Sequence, residues 1–306
     1  MKLKNVSLFC VVVTIVLLFA HTQAPAAESP SLPNVYTYKV GLVEVSFLCD
    51  GLSTGNTANL KADEAVLKKY APDGTYPSSM NAFLIRTPES RILVDSGLGR
   101  EIVNDLKSLG VEAEDIDVVL LTHMHGDHIG GLISKSDGKA VFPKAKMYLA
   151  RQERDYWASE EIMKTFPEDR QGDFKNSQAV LAAYGNSVQT FEPDALGSGF
   201  KPLLPNVQAI AAFGHTPGHT IFLVESEGAK FLIWGDVTHA ITVQMPVPEV
   251  FMVFDVDSAQ AVATRLAVLK YVSDGKIPVA GAHIRYPGMG LIAPAPEGGY
   301  SFTPFP

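Results

Sequence analysis

Cysteine is nearly absent from this chain: two copies in 306 residues, Cys10 and Cys49. Tryptophan also occurs only twice, and nowhere do Lys and Arg gather into a basic run. Each scarcity excludes something. The opening Met1-Lys2-Leu3-Lys4, the apolar block Val11 to Ala20 and the small-residue triplet Ala24-Pro25-Ala26 have the pattern of a secretory signal peptide occupying residues 1–26. Its apolar block is shorter than the roughly 20 residues that span a bilayer, so a cleaved leader is expected rather than an anchor. Cys10 leaves with that leader, and Cys49 alone cannot form an internal disulfide. Residues 27–306 must then hold together by burial; their number suits one large domain or two small ones, and with no linker dividing the chain a single domain is expected.

The formal charge of −8 becomes −10 once Lys2 and Lys4 are removed. An acidic chain without a basic run is not expected to bind nucleic acid. The expected partner is a small-molecule substrate, with no membrane contact after leader removal and with a periplasmic or secreted destination. A homodimer is compatible with the sequence.

What the chain does have is a concentration of histidine. Of eight histidines, His123, His125 and His128 fall within six residues together with Asp127, in Thr122-His123-Met124-His125-Gly126-Asp127-His128-Ile129-Gly130-Gly131. His215 and His219 form a second group, and His283 follows another apolar run. Imidazole and carboxylate suit Zn²⁺ and related cations, and packing gives no reason to cluster them. The apolar run Ile116 to Leu121 just before the first group predicts a strand delivering these side chains on a loop.

Strand-like alternation runs from Val35 to Leu48, and Met80 to Leu93 reads as a hairpin turned at Thr87-Pro88-Glu89-Ser90. Between them, Gly51 to Ser79 is polar, with a helical patch around Ala62 to Tyr70, and is expected to be a flap or a surface excursion. A helix is expected from Ile102 to Leu109, stopped by Gly110. Met147 to Leu149 reads as a strand, and Arg151 to Tyr184 as two helices separated near Pro167. Val207 to Phe213 and the hairpin Ile221 to Trp234, turned at Glu227-Gly228, return to strand. Asp257 should cap a helix presenting Ala259, Val262, Ala263, Leu266 and Leu269 on one face, with Gly275 past its end. Ile277 to Ala282 is the last strand expected. Two blocks of strands, each accompanied by helices, predict an α/β chain folded as a four-layer αββα sandwich.

His-x-His-x-Asp-His after a strand, Gly214-His215-Thr216-Pro217-Gly218-His219, Gly235-Asp236 and the late His283 together resemble the metallo-β-lactamase superfamily. Within it the chain is most similar to the methyl parathion hydrolase group, through Ala211 to Thr220, Trp234-Gly235-Asp236 and Ala282 to Gly290. The resemblance implies two divalent metal ions, zinc foremost, with manganese, cobalt or iron also accepted by such ligands. It implies His123, His125 and His215 on one ion, Asp127, His128 and His283 on the other, and Asp236 bridging both. Asp127 and Asp236 are thereby the catalytic carboxylates. His219 is left as a supporting residue.

The implied reaction is hydrolysis of an ester, lactone or phosphotriester by a metal-bridging hydroxide. Two divalent cations outweigh two carboxylates and a hydroxide by one positive charge, which stabilises that hydroxide near neutral pH. No thiol nucleophile is needed, so Cys49 reads as a small buried apolar residue. By the same resemblance Asp95 orients a ligand histidine, or it is a turn-former before Gly97. Trp157 is a pocket wall or a core residue, and His239 lines the substrate pocket or is a loop residue. Two other activities of the fold are alternatives: a β-lactamase, against which Asp236 counts, and an iron-dependent redox enzyme, against which His125 counts.

Overall fold

Along most strands odd and even residues enter two different cores, which is why these strands read as almost unbroken apolar runs rather than as alternating ones. The computed structural model describes residues 34–306, so the leader expected at residues 1–26 lies outside the described residues. Phe83, Ile85, Ile92, Val94, Val118 and Leu120 point to a central core, whereas Leu84, Leu93, Val119 and Leu121 point the other way, under helices.

The first sheet takes seven strands in chain order: Val35–Val40, Val43–Asn56, Thr75–Arg86, Arg91–Val94, Val118–Leu120, Lys146–Ala150 and Val188–Phe191. Its first four strands are antiparallel neighbours and its last four parallel. The second sheet is again in chain order: Pro202–Leu204, Val207–Ala211, Thr220–Ser226, Ala229–Ile233, Val279–Ala280, Met289–Pro294 and Tyr300–Pro304. Val207, Phe222, Val224, Phe231 and Ile233 meet the first sheet's inner face. Ile221, Leu223, Leu232 and Trp234 face outward, onto Val268, Leu269 and Val272 of the helix Ser258–Gly275. The expected αββα layering is therefore present.

Several local expectations are corrected. Gly51 to Ser79 is no separate excursion. The strands Val43–Asn56 and Thr75–Arg86 stay paired from Glu44↔Arg86 to Asn56↔Thr75, with an irregularity at Cys49/Gly51, and carry a two-stranded arm beyond the sheet, with the helix Glu64–Tyr70 at its tip. The stretch Arg151 to Tyr184 holds three helices, Arg151–Ala158, Glu160–Met163 and Gly172–Tyr184. The first break comes at Ser159, whose hydroxyl accepts from Ile162 N at 3.2 Å. The run after Ile277 pairs only over Val279–Ala280, and the two strands beyond it were not foreseen.

Asp257 does cap its helix, accepting from Gln260 N at 3.0 Å. The buried face of that helix is Ala261, Arg265, Val268, Leu269 and Val272, not the face inferred from its aliphatic residues. Arg265 causes the discrepancy. Its guanidinium donates to the carbonyls of Val237, Pro248 and Val250 at 2.6–2.9 Å, so a charged residue occupies an inward position. Gly275 is the helix's last residue, and Lys276 takes the left-handed turn.

The helix Ile102–Ser108 buries Asp105, whose Oδ2 has no partner. Burial, then the nearby Glu101 and Asp50 carboxylates, push the Asp105 carboxyl up to about 7. In the unfolded chain it would ionise near pH 4. Its stabilising contribution is complete below that pH and is lost as the pH rises through 7. Asp105→Asn should therefore be more stable than wild type at pH 8, by about 2 kcal/mol, with the difference vanishing near pH 4. Denaturant unfolding of both proteins at the two pH values checks this, and an equal offset at both would contradict it.

Candidate metal centre

Both sheets deliver loops to one end of the sandwich. The strand Val118–Leu120 leads into His123, His125, Asp127 and His128, the last two in the short helix Gly126–Ile129. The second half contributes His215 before the strand Thr220–Ser226, Asp236 after Ala229–Ile233, and His283 after Val279–Ala280. All seven residues expected from the sequence converge here.

Two sets can be distinguished. His123 Nε2 and His215 Nε2 each lie 3.0 Å from His125 Nδ1, and are 3.6 and 3.3 Å from Asp236 Oδ2. On the other side, His128 Nε2 is 3.2 Å from Asp236 Oδ1 and 3.9 Å from Asp127 Oδ1. His283 Nε2 is 3.2 Å from Asp236 Oδ2 and 3.6 Å from Asp127 Oδ2. Asp236 is the one side chain common to both. The candidate ligand atoms of His123, His125, His215 and Asp236 lie within 4.8 Å of one another, and so do those of Asp127, His128 and His283.

Four imidazoles have their remaining ring nitrogen committed. His128 Nδ1 donates to Asp95 Oδ2 at 2.8 Å, His215 Nδ1 to Asp255 Oδ1 at 2.7 Å, and His283 Nδ1 to the Ser79 carbonyl at 2.9 Å. The Thr122 hydroxyl donates to Asp95 Oδ2 at 2.7 Å and so accepts from His123 Nδ1 at 3.0 Å. These partners fix the tautomers and leave the Nε2 atoms aimed inward as acceptors. The interior thus holds acceptors without matching donors, and His128 Nε2 and Asp236 Oδ1 are buried with no hydrogen-bond partner. Such a donor set fits a cation.

The electrostatics agree. Burial, then the neighbouring imidazoles, hold His123 and His125 well below the ordinary histidine pKa. Burial also opposes charge on His128, His215 and His283, yet Asp236 together with Asp127, Asp95 or Asp255 raises all three, His215 to about 9. Burial works against the Asp236 carboxylate as well, but His128, His283 and His239 hold its pKa well below the usual range.

Asp95 orients His128, the role inferred for it. It adopts φ +60°, a left-handed conformation that Asp tolerates better than most residues, and accepts from both the backbone and the hydroxyl of Thr122. His219 stays outside the ligand sets: its Nδ1 donates to Ala212 O, and its Nε2 accepts from Asp236 N at 3.0 Å. Burial lowers its pKa to about 3, which keeps that acceptor available. Cys49 is a free, buried thiol. Trp157 combines its two readings. It is 4% exposed in the outer core, its ring lies 5.4 Å from that of His125, and it borders a cavity. His239 lies in the wall of a cavity, with Nε2 3.0 Å from Asp236 Oδ2.

Sequence reasoning missed Glu153, Asp255 and Asn81. The buried Glu153 carboxylate accepts from Met124 N, Trp157 Nε1, Thr216 Oγ1 and Gly218 N at 2.6–2.9 Å, tying both histidine loops to one helix. The fit is tight enough to require glycine at 218, where a Cβ would stand 2.2 Å from Glu153 N. Asn81 donates to the carbonyls of Gly281 and Ile284, fixing the loop of His283 to the first sheet. The only signal any of these carries in sequence is a polar residue within or beside an apolar segment.

The centre opens into a cavity of about 490 Å³ whose walls include Ser53, Tyr76, Met80, Asp173 and Phe254. A second cavity, of about 850 Å³, shares His125, Asn59, Asp173 and Phe254 with it and adds Tyr156, Trp157, Phe166 and Phe174.

Known proteins resemble this chain in sequence and fold. Residues 75–134, which contain Asp95 and the first histidine group, match the model of the metallo-β-lactamase superfamily. The chain is similar to exodeoxyribonuclease WalJ of Streptococcus pneumoniae, at 34% identity over 82 residues, or 26% of this chain. It spans only 30% of that curated relative's length. Among solved structures it is similar to AidC, a dizinc quorum-quenching lactonase (26% identity, TM-score 0.79, covering 89% of this chain and 98% of that one). It is also similar to AbOPH, a hydrolase in the β-lactamase superfamily (29% identity, TM-score 0.80, covering 90% and 98%). The fold is the metallo-β-lactamase fold. The family match over residues 75–134 and the likeness to a dizinc lactonase and to a hydrolase of the β-lactamase superfamily support a place for the chain among metal-dependent hydrolases of that superfamily.

Asp95→Asn would turn an amide N–H toward His128 Nδ1, where a carboxylate now accepts. Affinity for a cation held by His128 should fall by roughly 10–100-fold while the fold is kept. Competition with a chromophoric chelator measures this, and unchanged affinity would remove Asp95 from the role assigned.

Proposed function

We propose that the chain is an exported hydrolase that uses two divalent cations, zinc foremost, to open lactones or cleave aryl esters. Phosphotriesters are a further substrate class, as the sequence resemblance to the methyl parathion hydrolase group implies. One observation carries this reading: five imidazoles and two carboxylates meet at Asp236 beside a partly apolar cavity. His123, His125 and His215 would hold one cation and Asp127, His128 and His283 the other, with Asp236 between them. Cations bound there would supply Lewis acidity, activating water and polarising the scissile carbonyl or phosphoryl group.

The protein's own groups do the rest. Asp95, Asp255, Thr122 and the Ser79 carbonyl keep four imidazoles in the tautomer that presents Nε2 inward. Tyr76, Met80 and Phe254 offer an apolar wall for an acyl or aryl group. The adjoining aromatic cavity offers room for a longer one. A lactonase relative aligned over nearly its whole length supports a lactone as first choice. The chain would be exported to a periplasm or beyond the cell and act on a small-molecule substrate, as a monomer or a homodimer.

The test is to purify the mature protein, count its metal by elemental analysis, and assay a panel of lactones, aryl esters, phosphotriesters and β-lactams. Two cations per chain are expected, with turnover greatest on lactones or aryl esters and lost on chelation. His125→Ala should cut turnover by at least about 10²-fold while remaining folded by circular dichroism. Preferred cleavage of β-lactams, or full activity without metal, would reject the proposal.

A further inference from the structure

We propose that His239 is a sixth imidazole ligand of the centre, binding a cation together with Asp236 and His283. The inference rests on the metal-centre reading and extends it. In the set His123, His125 and His215 the ring centroids are 4.7, 4.7 and 4.9 Å apart, the spacing of three imidazoles converging on one point. His239 has a similar centroid spacing, 4.8 Å to His215 and 4.9 Å to His283, with its ring tilted 56° to the first and stacked at 20° on the second. The assigned partners His128 and His283 are farther apart, at 5.8 Å.

His239 Nε2 is also the imidazole nitrogen closest to Asp236 Oδ2, at 3.0 Å against 3.2 Å for His283 and 3.3 Å for His215. The ligand atoms of Asp236, His239 and His283 all lie within 4.8 Å of one another. The ring is 6% exposed, and neither of its nitrogens makes a hydrogen bond. A histidine placed only for packing or for capping a loop would have one nitrogen bonded to protein, because burying both unpaired is costly.

The backbone that carries His239 is held independently of the ring. Gln244 Oε1 accepts from His239 N and Ala240 N at 2.7 and 3.0 Å. Arg265 grips the carbonyls of Val237, Pro248 and Val250 on either side. The imidazole is thus positioned by a rigid segment and left unpaired beside the carboxylate common to both sets.

Metal binding tests this without reference to turnover. Metal-free wild type, His239→Ala and His239→Gln would be titrated with Co²⁺ against a competing chelator, following the visible absorption of the bound ion. We expect the weaker dissociation constant to rise at least tenfold in both variants, the absorption to change, and added imidazole to restore it in His239→Ala. Unchanged affinity and spectrum in a folded variant would overturn the assignment. Proton NMR of cobalt-loaded wild type needs no variant. Six strongly shifted exchangeable imidazole N–H signals are expected, and five would overturn the proposal. If wild type binds no Co²⁺ at all, the metal-centre reading itself fails, an outcome distinct from loss of the His239 role alone.

Discussion

The organising interaction is the burial of Asp236. A carboxylate that is 3% exposed must be compensated, and no Lys or Arg among the described residues forms an ion pair with it. Imidazoles compensate it instead, five of them within 3.6 Å of its oxygens. Imidazole has an advantage here: it can be charged by protons or remain neutral and share a metal with the carboxylate. The peptide N–H of Asp236 is held in turn by His219, and Gly235 lies so close to that ring that a Cβ would stand 2.8 Å from Nε2.

Around that carboxylate, two buried polar groups solve the assembly problem. Glu153 collects donors from the loop of His123 and from the loop of His215, and Asn81 ties the loop of His283 to a strand of the first sheet. Burial pushes the Glu153 pKa up, while its four hydrogen bonds oppose the shift. Neither residue faces the cavity, yet each sets where a candidate ligand stands.

The sequence disclosed the ligands because four of them are local. Strand, turn and short helix place His123, His125, Asp127 and His128 together without any long-range information. The layering was legible for a related reason, since strands buried on both faces and separated by helical stretches leave few other ways to hide their apolar surface. Asp255 and Glu153 could not be read, because their partners lie 40 and 63 residues away and only folding brings them together. The arm between Gly51 and Ser79 lines the cavity with Ser53, Asn59, Tyr76 and Ser78, as a flap would, but its paired strands were not read because it projects past the sheet. Exposed and half-buried residues alternate there from Gly51 to Asn56, so it lacks the apolar rhythm of a strand. Arg265 misled in the opposite sense: a guanidinium that satisfies three carbonyls belongs inside, where pattern reading expects an aliphatic side chain.

Each candidate ligand set draws side chains from both halves of the molecule: His123 and His125 with His215, and Asp127 and His128 with His283. An ion held by such a mixed set is a cross-link between two independently hydrogen-bonded sheets. Its removal would loosen the seam of the sandwich at one end rather than a single loop, so catalytic competence and the mechanical integrity of that end would be lost together.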